Sequence, residues 1–198
     1  IQNDLQEPAY LPFLFGTTSN MYVSMNNIYI THPNTTHIVQ LGMAQSFEKT
    51  IVHRIHVEDG EIKYEASGEV PGHILNQFSM DEFNGHFRIA TTTGEVWGWG
   101  QATSKNHVYI LNMNLNITGK LEDLAPGEKI YSARFMGDRG YLVTFKKIDP
   151  LFVLDLSDPE DPRVLGQLKI TGYSDYLHPY DETHIIGIGK ETVEAEEG

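Results

Sequence analysis

The chain has 198 residues, with 14 basic and 27 acidic side chains and a formal net charge of −13. This charge argues against nucleic-acid binding, because a protein that binds the phosphate backbone needs a basic face. Hydrophobic residues make up 40% and charged residues 21% of the sequence, which is typical of a folded chain. The absence of cysteine excludes disulfides, thiolate catalysis and cysteine-ligated metals. No apolar run approaches the roughly 18–20 residues of a spanning helix, so we expect no membrane span in this segment.

Apolar residues alternate with a period of two along most of the chain, which predicts an all-β protein. The predicted strands are rich in Val, Ile, Tyr, Phe and Thr. In chain order they are Met21–Ile30, Thr50–Val57, Glu61–Ala66, Phe87–Thr91, His107–Met113, Tyr141–Phe145, Phe152–Leu156, Val164–Ile170 and Ile185–Ile188. Tight turns are predicted between them at Asp59-Gly60, Asn84-Gly85 and Gly137-Asp138, where Gly and Asp or Asn tolerate positive φ.

An internal repeat favours a β-propeller over a sandwich or a barrel. Gly72, Gly127 and Gly172 each introduce a similar run that leads into a strand, and they lie 55 and 45 residues apart. Repeats of about 40–50 residues with four strands each are typical of propeller blades. A four-stranded blade needs a neighbour to bury its faces, so blades stack around an axis. The sequence therefore predicts four-stranded blades in an incomplete ring of about three to four.

The repeat also predicts how the chain is divided. We expect a partial blade in residues 1–70, blades in 71–125 and 126–170, and a partial blade in 171–198. Residue 1 is Ile rather than Met, which favours a piece of a longer protein. Because so few blades do not close a ring, open edge strands at Met21–Ile30 or Thr183–Gly189 are expected to pair with another chain or to remain exposed. We therefore predict self-association.

The run from Val70 to Gly189 resembles a family of secreted or surface-attached prokaryotic proteins with a C-terminal β-propeller distantly related to WD40 repeats. The residues that carry the resemblance are Leu75–Glu82, Arg88–Thr92, Arg134–Arg139, Tyr141–Phe145, Asp149–Pro159 and Tyr176–Asp181. The resemblance implies the propeller fold and an extracytoplasmic location. It implies no catalytic or ligand residue, because the family is essentially of unknown function.

One connection between predicted strands is unusually long and holds both tryptophans, Trp97 and Trp99, next to glycines. Binding sites are commonly built on such loops, and two indole rings suit a sugar or a peptide. We therefore predict Trp97 and Trp99 as ligand-binding residues. The alternative, in which the loop folds back and buries both rings against a blade, stays open.

Other candidate sites have simpler interpretations. The acidic run from Asp155 to Asp161 lacks the spacing of a calcium loop and fits a turn with two prolines. His53 and His56 are three apart on a predicted strand and so point to opposite faces. His178, Asp181 and His184 span a turn where they would have to converge to bind an ion. We expect no metal and no cofactor.

The sequence contains no catalytic motif that defines a reaction. A Gly-x-Ser-x-Gly elbow is absent, and the carboxylate pairs Asp59/Glu61 and Asp81/Glu82 are expected to be solvated. We therefore predict a binding or scaffolding domain for a protein or glycan at the cell exterior. The alternative is a hydrolase or lyase on a propeller scaffold, with catalytic carboxylates partly outside this segment.

Overall fold

A computed structural model describes residues 10, 12, 14, 20–40, 43–96, 102–145, 149–170 and 172–191. These residues form fourteen strands and one 3-10 turn, Gln77–Ser79. The strands are β1 Asn20–Val23, β2 Asn27–Gln40, β3 Met43–Glu58, β4 Glu61–Pro71, β5 Met80–Phe83, β6 His86–Thr93, β7 Lys105–Asn112, β8 Ile117–Leu124, β9 Lys129–Met136, β10 Arg139–Phe145, β11 Asp149–Asp155, β12 Arg163–Ile170, β13 Tyr173–Pro179 and β14 Ile185–Lys190.

The strands form antiparallel sheets in which sequence neighbours pair. The first sheet contains β1–β4, the second β5–β8 and the third β9–β12, and a two-stranded sheet contains β13 and β14. Four-stranded antiparallel sheets of this kind are the blades of a propeller. The predicted all-β propeller fold is confirmed, and the described residues do not close a ring.

Three two-residue hairpin turns lie where the sequence predicts them. Asp59-Gly60 joins β3 to β4, Asn84-Gly85 joins β5 to β6, and Gly137-Asp138 joins β9 to β10. In the first turn φ is 50° and 82°, and in the second it is 48° and 70°. Positive φ at both positions defines the type I′ turn, which matches the twist of the paired strands.

The prediction of a single strand over Met21–Ile30 is wrong. It is a hairpin of β1 and β2, in which Met21 pairs with Ile30. Ser24 closes the turn, because its backbone N–H donates to the Asn27 carbonyl at 2.9 Å and its hydroxyl accepts the Asn27 backbone N–H at 3.1 Å. These local bonds stop the strand that alternation alone predicts.

Apolar side chains form a core in each interface between neighbouring sheets. The core between the first and second sheets includes Tyr29, Val52, Phe87, Tyr109 and Leu111. The core between the second and third sheets includes Val108, Ile110, Phe135, Leu142 and Leu154. Leu177 of β13 packs on Tyr141 and Val143 of the third sheet. Each four-stranded sheet is therefore held by burial against a neighbour.

The expectation that Asp81 and Glu82 are solvated is wrong. Asp81 accepts two hydrogen bonds from Arg88, at 2.7 and 2.6 Å, and Arg88 is only 2% exposed. Glu82 accepts three hydrogen bonds from the first sheet, at 2.7–3.0 Å. Because β5 lies where sheets meet, both carboxylates accept hydrogen bonds from neighbouring side chains.

Candidate binding site

A cleft of about 410 Å³ opens between the first and second sheets. We call it the inter-sheet cleft, and its polar lining comprises Asn20, Thr31, His32, Glu48, Thr50, His73 and Glu95. The sequence does not point to this group, because the residues come from five separate segments and share no motif. They meet only because the first sheet packs on the second.

The chain after β4 is held rigidly beside the cleft. His73 exchanges two backbone hydrogen bonds of 2.9 Å with Thr92 of β6, and the Thr50 hydroxyl donates to the Gly72 carbonyl at 2.7 Å. Gly72 has φ of 86°, and a Cβ there would lie 2.5 Å from the Thr92 carbonyl oxygen. Only glycine fits this close approach, which places the His73 side chain at the cleft.

The cleft presents hydrogen-bonding groups of both kinds. His73 Nδ1 lies 2.8 Å from a carboxylate oxygen of Glu48 in a half-exposed pair. The Glu95 carboxylate is exposed and makes no hydrogen bond to another described residue. Carboxylates accept hydrogen bonds from hydroxyl groups, and the Asn20 amide both donates and accepts them. This chemistry suits a ligand that carries many hydroxyl groups.

The predicted ligand-binding residues Trp97 and Trp99 lie outside the described residues. The described chain leaves β6 through Glu95, whose carbonyl accepts the backbone N–H of Thr103 at 2.9 Å, and Thr103 leads into β7. The connection that holds both tryptophans therefore starts and ends beside the inter-sheet cleft. Trp97 follows the cleft residue Glu95 by two positions in the sequence.

A second concavity of about 480 Å³ lies between β1, the 3-10 turn and β9. We call it the inner-strand groove, and it is lined by Met21, Tyr22, Val23, Gln77, Phe78, Met80, Asp81, Arg134 and Phe135. Met21 is 55% and Val23 56% exposed. The Arg134 guanidinium carbon lies 4.9 Å from the centre of the Phe78 ring, a cation–π contact. The groove thus combines apolar walls with the cation of Arg134 and the carboxylate of Asp81, which is paired with Arg88.

The three turn residues that the sequence offered for an ion do not all come together. Asp181 binds the backbone N–H of Thr183 and the ring of His184, each at 2.8 Å, and these contacts lower the pKa of Asp181 to about 2. His178 instead lies 3.2 Å from the Tyr176 hydroxyl. Among the described residues, no three His, Asp or Glu side chains are placed to hold a metal ion.

The other two predictions about candidate sites agree with the contacts found. His53 contacts His32 at 3.2 Å, whereas His56 lies 3.3 Å from Asn27 and so reaches the other face. In the acidic run, Asp158 accepts the backbone N–H of Glu160 at 3.0 Å and Asp161 pairs with Arg163. These two carboxylates therefore make contacts within the turn itself.

The sheet architecture defines a β-propeller domain, and sequence comparison gives its family. The profile of a family described as a beta propeller domain matches residues 1–198, and the chain belongs to this family. Within the described residues, no helix is long and apolar enough to span a membrane.

Two archaeal proteins are similar to this chain, and both are uncharacterised. A protein of Methanocaldococcus jannaschii is 50% identical over 147 residues, which are 74% of this chain and 23% of that protein. A protein of Archaeoglobus fulgidus is 44% identical over 150 residues, which are 75% of this chain and 22% of that protein. The match spans less than a quarter of either relative.

Proposed function

We propose that this chain is a binding domain that acts outside the cytoplasm and holds a glycan in the inter-sheet cleft. The observation that carries the proposal is the grouping of Glu48, His73 and Glu95 at the base of the connection that contains Trp97 and Trp99. Carboxylate and imidazole groups bind sugar hydroxyls, and indole rings offer a flat apolar face to a sugar ring.

The extracytoplasmic location is supported by the resemblance of Val70–Gly189 to secreted and surface-attached prokaryotic proteins. Treatment of intact cells with a protease tests it. The expected result is cleavage of the full-length protein while a cytoplasmic marker stays intact. Protection of the protein in intact cells and its cleavage after lysis would contradict the location.

A glycan array tests the ligand. We expect the wild-type chain to give a signal that Glu95→Ala and the double variant Trp97→Ala/Trp99→Ala lose. Glu61→Ala is the matched control, because Glu61 is an exposed glutamate at the opposite end of β4 from the cleft. Equal loss in Glu61→Ala, or no signal from the wild-type chain, would contradict glycan binding in the cleft.

A protein ligand is the alternative that the inner-strand groove favours. Exposed Met21 and Val23 beside Arg134 suit a partner segment with apolar and acidic side chains. In a pull-down from the native cell extract, Val23→Asp would remove such a partner and Glu95→Ala would keep it. The opposite pattern, or no captured partner, argues against the groove.

A hydrolase or lyase is a second candidate function, with catalytic carboxylates partly outside this segment. It is favoured by one observation, the presence of Glu48 and Glu95 in one cleft. Mass spectrometry of bound glycans distinguishes the two functions. Cleavage products that Glu95→Gln abolishes would support catalysis, whereas intact glycan after long incubation with the full-length protein supports binding alone.

A further inference from the structure

Two histidines face each other on the first sheet. His32 of β2 and His53 of β3 lie on the face opposite to Tyr29 and Val52, because side chains alternate along each strand. Their Nε2 atoms are 3.2 Å apart, and the ring planes differ by 15° with centroids 5.3 Å apart. The two rings therefore meet through their Nε2 atoms.

Each ring is also oriented through its other nitrogen. The Tyr64 hydroxyl lies 3.0 Å from Nδ1 of His53, and the Pro33 carbonyl oxygen lies 3.3 Å from Nδ1 of His32. Oxygen partners at the second ring nitrogen are typical of histidines that bind metals, because they fix the tautomer and the direction of the ring. Both imidazoles have such a partner.

We propose that His32 and His53 form a two-histidine binding site for a divalent transition-metal ion such as Cu²⁺ or Zn²⁺. Two imidazole nitrogens at about 2.0–2.1 Å from one tetrahedral ion lie about 3.3 Å apart, which matches the observed 3.2 Å. Imidazole is a preferred ligand of both ions, and Cu²⁺ binds a given nitrogen site more tightly than Zn²⁺. Both rings are partly exposed on this face of the sheet, so water can supply ligands at the remaining positions.

The hydrogen bonds around the two histidines allow a metal ion to bind without a change in the net charge of the protein itself. One arrangement of protons satisfies both contacts in the metal-free chain: Nε2–H of His53 donates to Nε2 of His32, and the Tyr64 hydroxyl donates to Nδ1 of His53. When the ion binds both Nε2 atoms, the proton of His53 moves to Nδ1 and the Tyr64 oxygen accepts it. A tyrosine hydroxyl both donates and accepts, so each nitrogen keeps a partner.

Titration of the full chain with Cu²⁺ alone, by calorimetry and electron paramagnetic resonance, tests the site. We expect one ion whose spectrum shows coupling to two nitrogens. His32→Gln and His53→Gln should each weaken binding at least tenfold, and Tyr64→Phe should weaken it severalfold. His86→Gln is the control, because His86 is a half-buried histidine on the second sheet that contacts the Asn84 carbonyl of its own turn.

The possible results of the titration either support or overturn the proposed metal site. Loss of Cu²⁺ binding in both variants but not in His86→Gln supports the site. Absence of binding in the wild-type chain, or unchanged affinity in His32→Gln and His53→Gln, overturns it. Thermal melting of each variant without metal verifies the fold, and no glycan is present, so the result is independent of the proposed glycan binding.

Discussion

The hydroxyl of Tyr29 donates a 2.7 Å hydrogen bond to the carboxylate of Glu82, across the interface between the first and second sheets. The same carboxylate oxygen accepts bonds from Ser24 and Asn27, while the Tyr29 ring stacks on Phe87 at 4.3 Å. Burial, together with the bond to Glu82, raises the pKa of Tyr29 well above its ordinary value. Tyr29 therefore stays protonated as a donor at any physiological pH.

Removal of either partner is expected to destabilise the protein by different amounts. Tyr29→Phe deletes one bond and keeps the ring, so we expect a loss of about 1 kcal/mol. Glu82→Ala removes the shared acceptor of three donors and costs about 2–3 kcal/mol. Urea unfolding measures both, with exposed Glu61→Ala as the control. A change for Glu82→Ala no larger than for Glu61→Ala would contradict this role.

The buried pair of Arg88 and Asp81 gives a second prediction. Arg88 also donates to the Gly137 carbonyl of the third sheet at 2.7 Å, and its guanidinium lies 5.2 Å from the Phe135 ring centre. Arg88→Met leaves Asp81 buried without its partner, which costs about 3–5 kcal/mol.

The double variant Asp81→Leu/Arg88→Met is expected to recover part of this loss in free energy of unfolding, because no charge is then left unpaired. Urea unfolding of both variants measures the difference. A double variant less stable than Arg88→Met alone would show that the cost lies elsewhere.

His107 is expected to make stability depend on pH. Its Nε2 contacts the Thr93 hydroxyl at 2.9 Å and its Nδ1 accepts the backbone N–H of Asp123 at 3.3 Å. Burial lowers the pKa of His107 below its ordinary value of 6.5. The unfolded chain therefore takes up this proton first, and the stability contributed by neutral His107 is lost as the pH falls below about 6.5 through the folded-state pKa.

The free energy of unfolding at pH 7 and pH 5 measures this effect. The loss of stability on acidification should be smaller in His107→Gln than in the wild-type chain. Because the other eight histidines are present in both proteins, the difference between the two chains reports the contribution of His107. An equal loss in both would contradict the prediction.

Self-association is predicted at the open end of the described sheets. Among the described residues β14 pairs only with β13, and Ile186 and Ile188 are 46% and 59% exposed. Unpaired, apolar edge strands are sites of chain pairing. Sedimentation velocity should show dimers at high concentration that Ile188→Lys reduces. A strictly monomeric profile would contradict the prediction.

Local chemistry was sufficient to predict many of the strands and three of the turns, but the predicted strands omit β5, β8, β9 and β13 and join β1 to β2. Asn84-Gly85 predicts its own type I′ turn because the required positive φ is a property of those two residues. The error at Met21–Ile30 comes from a local turn between Ser24 and Asn27, whereas the errors about side-chain surroundings occur where contacts are distant. From the sequence, the Glu82 carboxylate is expected to be solvated. Only the packing of the first sheet on the second brings Ser24, Asn27 and Tyr29 to it.

The cleft was not predictable for the same reason. Glu48 and His73 are 25 residues apart and carry no motif, and they meet because β3 and β4 pair in register. His32 and His53 come together through the pairing of β2 with β3. Alternation indicates which face a side chain occupies, but the strand register decides which side chains meet.

Glycan binding beside the tryptophan connection is tested most directly by one variant, Trp97→Ala/Trp99→Ala, measured for both melting temperature and glycan affinity. We expect the glycan signal to disappear while the melting temperature stays within about 2 °C of the wild-type value. Burial of the rings in a core would instead cost about 3–5 kcal/mol each and lower the melting temperature of the double variant by more than about 12 °C. Such a drop, or retained glycan binding, would contradict the proposed function.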